Sequence, residues 1–490
     1  MKFCFNSKDF IEKDKNPNKL ALIGDDFELT WEQFNLKVND LIDFLSEKEL
    51  CKSKRSVVVY GHKSANMLVS IYALMKLDVP YIPVDKVYPK ERIQKILNSS
   101  ESNLIINTTE NDLGYEGVSE LKLKQNKFEL LNKVEQKDLK ENSEDPLVYT
   151  IFTSGSTGEP KGVQITTEAV QSFTRWMTSK DFGFLEKDVF INTALLSFDL
   201  SVFEVMTFGA IGGTLLLNNK EQNSDPNKLM ERINQYKGTV WVSTPSFAIL
   251  YSRIDDHSLL NSIKSFLFCG EVLPHNLAKT LVSKFKNAQV INTYGPTEAT
   301  VATTIVHITE ELLDKYNPLP VGVSKMESKL LIENGEIVIA GPNVSIGYVK
   351  NERLNAEKFV MIDNQRAFKT GDVGYLENDM LFFNGRNDDL VKLHGYRIEL
   401  NEITSSLNDL SYIAQAETIA LKRNGSVKKI VSLAKIKPNE SKSKENILSD
   451  LSKTLPVYMV PSDIKIIDNI PLNNNGKTDK KLLAKIYLGK

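Results

Sequence analysis

Thirteen residues, Thr150-Ile-Phe-Thr-Ser-Gly-Ser-Thr-Gly-Glu-Pro-Lys-Gly162, put five hydroxyls, three glycines and one lysine into a single stretch after the apolar run Leu147-Val-Tyr. Glycines let backbone N–H groups approach a ligand closely, and hydroxyls add donors without bulk. With a nearby ammonium, such a loop suits a polyanion, for example a triphosphate. The spacing G-x-x-x-x-G-K-[ST] is absent, so this is not a Walker-type cradle. The same composition also suits a surface loop rich in turn formers. Single acidic or basic residues then recur in short polar stretches: Asp199, Glu298, Asp372 and Lys477.

Elements must hold these residues. Arg55-Ser-Val-Val-Val-Tyr-Gly61 reads as a buried strand, Lys63–Leu77 as a helix with an apolar stripe, and Asn103–Asn107 as a strand. Thr30 and Gln33 form a capping-box pair that opens a helix. The prolines in Val79-Pro-Tyr-Ile-Pro-Val-Asp85 predict a strand at a sheet edge or end. Residues 121–142 are expected to skirt the surface, with the basic run Lys122–Lys127 a solvated face or linker. Beyond the loop, strands at Val189–Thr193, Thr214–Leu217, Thr239–Ser243, Ser265–Cys269 and Gln289–Thr293 alternate with helices at Ala169–Lys180, Leu200–Phe208, Leu229–Tyr236, Phe247–Arg253 and Asn276–Phe285. That alternation predicts an α/β fold with largely parallel sheets, whose strand C-termini carry the loops.

From about residue 320, short strands at Lys329–Ile332, Gly335–Ala340, Ala367–Lys369 and Met380–Phe383 predict a small antiparallel β subdomain. The last hundred residues predict a small α+β unit. It has helices at Leu400–Leu410 and Lys444–Leu455, strands at Ala416–Lys422, Lys429–Ile436 and Ile464–Ile467, and a short terminal helix. The expected division is a large N-terminal domain, 1–386, and a small mobile C-terminal domain, 387–490.

A chain of 490 residues exceeds one core, and 41% hydrophobic with 25% charged residues is ordinary globular composition. A net charge of −2 gives no electrostatic reason for a nucleic-acid or anionic-membrane partner. Cys4, Cys51 and Cys269 are too sparse for a disulfide framework or thiolate zinc site, and the five histidines form no H-x-x-x-H pair. The N-terminus is too polar for a signal peptide, and no apolar stretch reaches bilayer length. A cytoplasmic enzyme or binding protein, not inserted in a membrane, is the expectation.

The motifs gain weight from their order. Phe152–Gly162, Phe198-Asp-Leu-Ser201, Asn292-Thr-Tyr-Gly-Pro-Thr-Glu298, Phe368-Lys-Thr-Gly-Asp372, Gly385-Arg-Asn-Asp388, Gly395-Tyr-Arg-Ile-Glu399 and Pro471-Leu-Asn-Asn-Asn-Gly-Lys-Thr-Asp479 follow one another along the whole chain. Tyr81–Asp85, Tyr88-Pro-Lys-Glu-Arg92, Gly335–Tyr348 and Leu455–Pro461 extend the match. Together they resemble the adenylate-forming superfamily of amino-acid adenylation domains, acyl-CoA synthetases and luciferases. Within it the chain is most similar to stand-alone amino-acid-activating members. Asp199 stands where those carry the carboxylate for the substrate ammonium, Cys269 replaces a common glycine, and no carrier domain follows Lys490.

The resemblance implies attack of a carboxylate on the α-phosphorus of ATP with Mg²⁺ present. D-alanine is the implied small-molecule substrate, and a phosphopantetheinylated carrier protein the acceptor, for D-alanylation of lipoteichoic acid. It places the β- and γ-phosphates on Phe152, Thr153, Ser154, Gly155, Ser156, Thr157 and Lys161. It places the nucleotide on Asn292, Thr293, Tyr294 (its ring for adenine), Gly295, Pro296 and Thr297 (a donor near the α-phosphate), and on Phe383, Asn384, Gly385 and Arg386. Glu298 is the implied Mg²⁺ ligand and Asp372 the acceptor of the ribose hydroxyls. Lys477 is the implied catalytic cation, bridging substrate carboxylate and α-phosphate as charge builds at phosphorus.

Asp199, Cys269 and Val301 are the implied amino-acid contacts, and Asp388 the hinge. Simpler roles remain open for several. Asp199 and Thr297 also suit helix N-caps, Cys269 a small buried hydrophobe, and Lys161, Lys477 and Asp388 solvated charges. Two other functions stay in view: a synthetase for another acid with coenzyme A or a different carrier as acceptor, and a nucleotide-binding module without chemistry. Asp199 disfavours a plain fatty acid, because a buried carboxylate beside hydrocarbon is costly.

Overall fold

The computed structural model describes residues 16–124, 127–134, 146–155, 159–252, 254, 258–386, 390–423, 426–438, 440–471 and 478–489. They fall into two compact units. The first comprises Met1–Asp85, Ser100–Ile151 and Gly162–Gly385; the second comprises Lys86–Ser99, Phe152–Lys161 and Arg386–Lys490.

In the first unit, a nine-stranded sheet runs in the order Val323–Ser324, Thr304–His307, Gln289–Tyr294, Ser265–Phe268, Val240–Ser243, Val189–Asn192, Thr214–Leu217, Leu20–Ile23, Glu28–Thr30. Pairings from Gln289–Tyr294 through Leu20–Ile23 are parallel, and both edges turn antiparallel. Both faces are buried, and alternate residues serve opposite cores. Val240, Val242, Leu215, Leu217, Leu267 and Ile291 enter one cluster; Trp241, Leu216, Phe266, Phe268 and Val290 enter the other. This is why these strands read as unbroken apolar runs.

A second sheet, of eight strands, runs Gly347–Tyr348, Lys161–Thr166, Leu147–Thr153, Tyr81–Asp85, Val57–Gly61, Leu104–Asn107, Ser119–Lys124, Lys127–Leu131. The helix Trp31–Glu47 opens with the reciprocal Thr30–Gln33 capping box. It buries Trp31 and Phe34 against Phe208 and Tyr72, with ring centroids 5.5 and 5.2 Å apart. An antiparallel sheet of Lys329–Glu333, Glu336–Ala340, Gln365–Glu377 and Phe359–Ile362, joined by Met380–Arg386, forms the β part expected after residue 320.

The second unit carries the antiparallel pair Ile413–Arg423 and Ser426–Ile436, with Asp463–Ile466 added in parallel. Ile430 and Ala434 point to a cluster with Ile403, Leu407 and Ile447, whereas Val431 and Leu433 meet Leu483 of the helix Lys480–Leu488. The mixed α/β class predicted from the sequence is the one observed.

Two local expectations are corrected. Tyr81–Asp85 is an interior strand, fully buried between two neighbours. Its pairing with Leu147–Thr153 is limited to Tyr81 opposite Tyr149, while its register with Val57–Gly61 is continuous. A ladder so short on one side leaves Pro83 no donor to supply there. The segment expected to skirt the surface instead begins as a β-hairpin, Ser119–Lys124 with Lys127–Leu131. Leu121 and Leu123 alternate into the core and Lys122 is buried in an ion pair with Asp112. The charge count concealed a period-two pattern.

Among the described residues, no helix is long and apolar enough to cross a membrane.

Candidate active site

The first unit gathers one group of predicted residues at the C-terminal ends of parallel strands. Gln289–Tyr294 delivers Tyr294, then Gly295 and Pro296 lead into a 3₁₀ turn, Thr297–Ala299. A Cβ on Gly295 would lie 2.5 Å from Ala302 Cα, so only glycine lets the chain fold back here. Ser265–Phe268 delivers Cys269, and the turn Asp199–Ser201 precedes the helix Val202–Ile211.

Hydrogen bonds knit these pieces together. Thr297 Oγ1 donates to Asp199 Oδ2 at 2.6 Å. The N-cap positions of the two turns and of the following helix fall on Phe198, Pro296 and Ser201, so neither Asp199 nor Thr297 is an N-cap residue. Tyr294 Oη donates to Asp372 Oδ2 at 2.6 Å, and its ring centroid lies 6.1 Å from that of Phe383. Asp372 is also fixed by its own N–H, which donates to Thr370 Oγ1 at 3.0 Å. Glu298 is fully buried, and Tyr348 Oη donates to its Oε1 at 2.6 Å. Cys269 Sγ lies 3.7 Å from the Val301 carbonyl, and both residues are buried. The thiol is therefore a small, packed side chain with its hydrogen-bond capacity turned to the backbone.

Other predicted residues are committed to the scaffold. Thr293 Oγ1 donates to the Phe268 carbonyl at 2.8 Å, and Asn292 Nδ2 donates to the Pro320 carbonyl at 2.9 Å. Phe383, Asn384 and Gly385 lie on the strand Met380–Arg386, and Asn384 is exposed. Arg386 opens the second unit.

The second unit contains Phe152, Thr153, Ser154, Gly155 and Lys161. Ser154 Oγ donates to the Arg397 carbonyl (2.8 Å) and accepts from the Glu399 N–H (3.1 Å). The Gly155 N–H donates to Glu402 Oε2 at 2.9 Å, and Lys161 Nζ lies 3.0 Å from Glu399 Oε1. Glu402 is itself held by Arg92 at 2.7 Å, both buried. Burial raises the Glu402 carboxyl above the usual range, against the opposing pull of Arg92. The loop thus offers an N–H and an ammonium to anionic oxygen. Ser156, Thr157, Asp388 and Lys477 lie outside the described residues.

Sequence reasoning missed a buried polar group beside the Asp199 loop. Lys63 Nζ donates to the carbonyls of Thr193 (2.8 Å) and Asn218 (2.9 Å). Asn192 Nδ2 donates to Glu204 Oε1 at 3.3 Å, tying the two ends of the loop that carries Asp199. Burial lowers Lys63 to about 7 and raises Glu204 to about 8. An acidic residue inside an otherwise apolar helix, Val-Phe-Glu-Val-Met, was the available signal.

Comparison with known proteins adds an independent line. Residues 11–349 match the family model described as AMP-binding enzyme. The chain is 40% identical to the D-alanine--D-alanyl carrier protein ligase of Bacillus cereus (strain Q1), over 96% of this chain and 97% of that protein. It is 39% identical to the protein of the same name from Bacillus mycoides (strain KBAB4), with the same coverage. Among solved structures it resembles the Vibrio cholerae adenylation domain AlmE in complex with glycyl-adenosine-5'-phosphate, with a TM-score of 0.83. That match has 20% identity over 99% of this chain and 98% of that one, a likeness of fold.

Proposed function

The chain belongs to the AMP-binding enzyme family, and from that premise we propose that it is an ATP-dependent ligase that activates D-alanine as D-alanyl-adenylate. It then passes the acyl group to the phosphopantetheine thiol of a separate carrier protein, for D-alanylation of lipoteichoic acid, in the cytoplasm. The observation that carries the reading is the Asp199–Thr297 bond, which holds a half-buried carboxylate on the same turn system as Val301 and Cys269. A fixed carboxylate and a carbonyl acceptor suit an ammonium, and Cys269 leaves room for a small side chain.

The first half-reaction joins two anions. An oxygen of the alanine carboxylate attacks the α-phosphorus, a P–O bond forms, and the bond to pyrophosphate breaks. Positive charge and donors must offset the repulsion. The loop Phe152–Lys161 is proposed to hold the β- and γ-phosphates, Tyr294 and Phe383 the adenine, Asp372 the ribose hydroxyls, and Lys477 the charge at phosphorus. In the second half-reaction the pantetheine sulfur attacks the acyl carbon, a C–S bond forms, the C–O bond to the phosphate breaks, AMP leaves, and the thiol proton is released to solvent. The proposed smaller domain, 387–490, turns about Asp388 between the two steps.

Glu298 fits Mg²⁺: it is a hard oxygen donor, fully buried and oriented by Tyr348. No cluster of three or more ligating side chains occurs among the described residues, so the ion would rest on this carboxylate and the phosphates. It would supply charge neutralisation at the phosphate oxygens.

ATP–pyrophosphate exchange over a panel of acids tests the proposal. Exchange that depends on D-alanine supports it. Exchange with another acid only would indicate a different synthetase, and ATP binding without exchange a silent nucleotide-binding module.

A further inference from the structure

The turn that carries Val301 is strained. Thr300 sits at φ 54° and Val301 at φ 69°. Two successive left-handed residues, neither glycine and both β-branched, persist only where the surroundings over-determine them, and such outliers gather at functional sites.

Backbone bonds hold part of this turn, Ala302 N–H to the Thr300 carbonyl (2.8 Å) and Thr303 N–H to the Tyr294 carbonyl (2.7 Å), and one buried side-chain amide ties its two ends together. Asn343 is fully buried, and its Nδ2 donates both to the Ala299 carbonyl (2.9 Å) and to Thr303 Oγ1 (3.0 Å). These two bonds bracket the strained pair from either side. The Asn343 backbone carbonyl accepts from Thr300 Oγ1 at 2.7 Å. Its Oδ1 accepts from Ser328 Oγ at 2.7 Å, which fixes the way the amide faces. Both donors and the acceptor of the side chain are therefore used. The next residues grip the same turn, since the Ser345 N–H donates to the Glu298 carbonyl at 2.8 Å. The bracketed carbonyl, that of Val301, is the one that faces Cys269.

We infer that Asn343 is a positioning residue for the amino-acid substrate: it holds Thr300 and Val301 left-handed and so aims the Val301 carbonyl at the substrate ammonium. The inference rests on the reading of Asp199 and Val301 as ammonium partners. Asn343 touches no substrate. With the bracket removed, Val301 relaxes toward its ordinary backbone region and the carbonyl swings away, while the adenine and ribose contacts stay in place.

The test is ATP–pyrophosphate exchange on the full chain, with KM measured separately for D-alanine and ATP. Asn343→Ala is expected to raise the D-alanine KM about tenfold, the rank of one hydrogen bond to a charged group. The ATP KM should stay within about twofold, a change too small for a lost contact of that kind. Ser328→Ala, which frees the amide to turn, moves the same constant the same way by about two- to threefold, the rank of one neutral bond.

In a Val301→Gly background the residue that carries the carbonyl has no left-handed Cβ penalty, while Thr300 keeps its own, so Asn343→Ala raises the D-alanine KM by clearly less. Equal rises in both constants would overturn the inference. So would a lower kcat with both constants unchanged, which is the signature of lost folded protein, or the same increment in the Val301→Gly background. If Asn343→Ala does not fold, Ser328→Ala decides by the same comparison. Absence of D-alanine exchange in the wild type would sink the functional reading first; normal exchange with an unmoved amino-acid KM in the variants sinks this inference alone.

Discussion

Replacing Asp199 by asparagine removes a charge and little else. The Thr297 hydroxyl that donates to Asp199 Oδ2 at 2.6 Å finds the same acceptor in a carboxamide oxygen, so the tie between the two turns survives. What goes is the attraction for the substrate ammonium. Two unit charges about 4 Å apart attract by about 4 kcal/mol at the effective dielectric near a protein surface. Asp199 is only half-buried, so water screens the pair and desolvation offsets part of the gain. The net value of a hydrogen bond to a charged group, about 1.5–3 kcal/mol, is the better figure. About 2.5 kcal/mol is a little under two decades at about 1.4 kcal/mol per decade.

Asp199→Asn should therefore cut kcat/KM for D-alanine about 50- to 100-fold in ATP–pyrophosphate exchange. The ATP KM and the melting temperature should hardly move. Undiminished D-alanine exchange would refute the assignment. So would a matched rise in the ATP KM, or a steep fall in melting temperature, since either would make the carboxylate a structural group.

Lys477→Ala should slow adenylate formation about a hundred- to a thousandfold, the effect of removing a preorganised charge or donor from a transition state, while ATP binding by calorimetry changes little. A wild-type rate would remove the lysine from the chemistry. Cys269→Ala should change the ratio of kcat/KM for D- and L-alanine, because the thiol is buried against the Val301 carbonyl, and unchanged preference would dismiss it as a specificity wall. Glu204→Gln should flatten the pH dependence of stability. Burial raises the carboxyl to about 8 from an ordinary value near 4.5. The folded state then holds a proton that the unfolded chain releases, so the wild-type contribution is full below about 4.5 and is lost as pH rises to about 8. The Lys63 charge and the Asn192 hydrogen bond pull against that rise without cancelling it. Urea melts from pH 5 to 8 that slope equally in wild type and variant would contradict this.

Most elements were legible because their determinants are local. Unbroken apolar runs mark strands buried on both faces, and Thr30 with Gln33 marks a helix start without reference to anything distant. What was not legible is pairing across the chain. The Thr297 hydroxyl bonds to Asp199, 98 residues away in sequence, a tie that neither motif announces. Pro83 argued for an edge strand, yet a ladder made at one position on one side accommodates it inside the sheet. Asn343 lies in a stretch whose resemblance was noted, but its task depends on the backbone angles of Thr300 and Val301, which no pattern of residue types reveals.

On composition alone the hydroxyl-rich loop favours the surface-loop reading over the anion site. A surface loop of turn formers meets its own N–H groups by local turn bonds, or leaves them to water. Here the Gly155 N–H points at a carboxylate oxygen of Glu402, and Lys161 at one of Glu399, both acceptors lying more than two hundred residues away and both buried. Ser154 donates and accepts in the same place. Burying two carboxylates is costly unless donors are aimed at them, so a backbone that receives them is already shaped for anionic oxygen. Phosphate oxygens ask for the same N–H and ammonium groups, and that shared requirement is the ground for proposing the loop as a phosphate site.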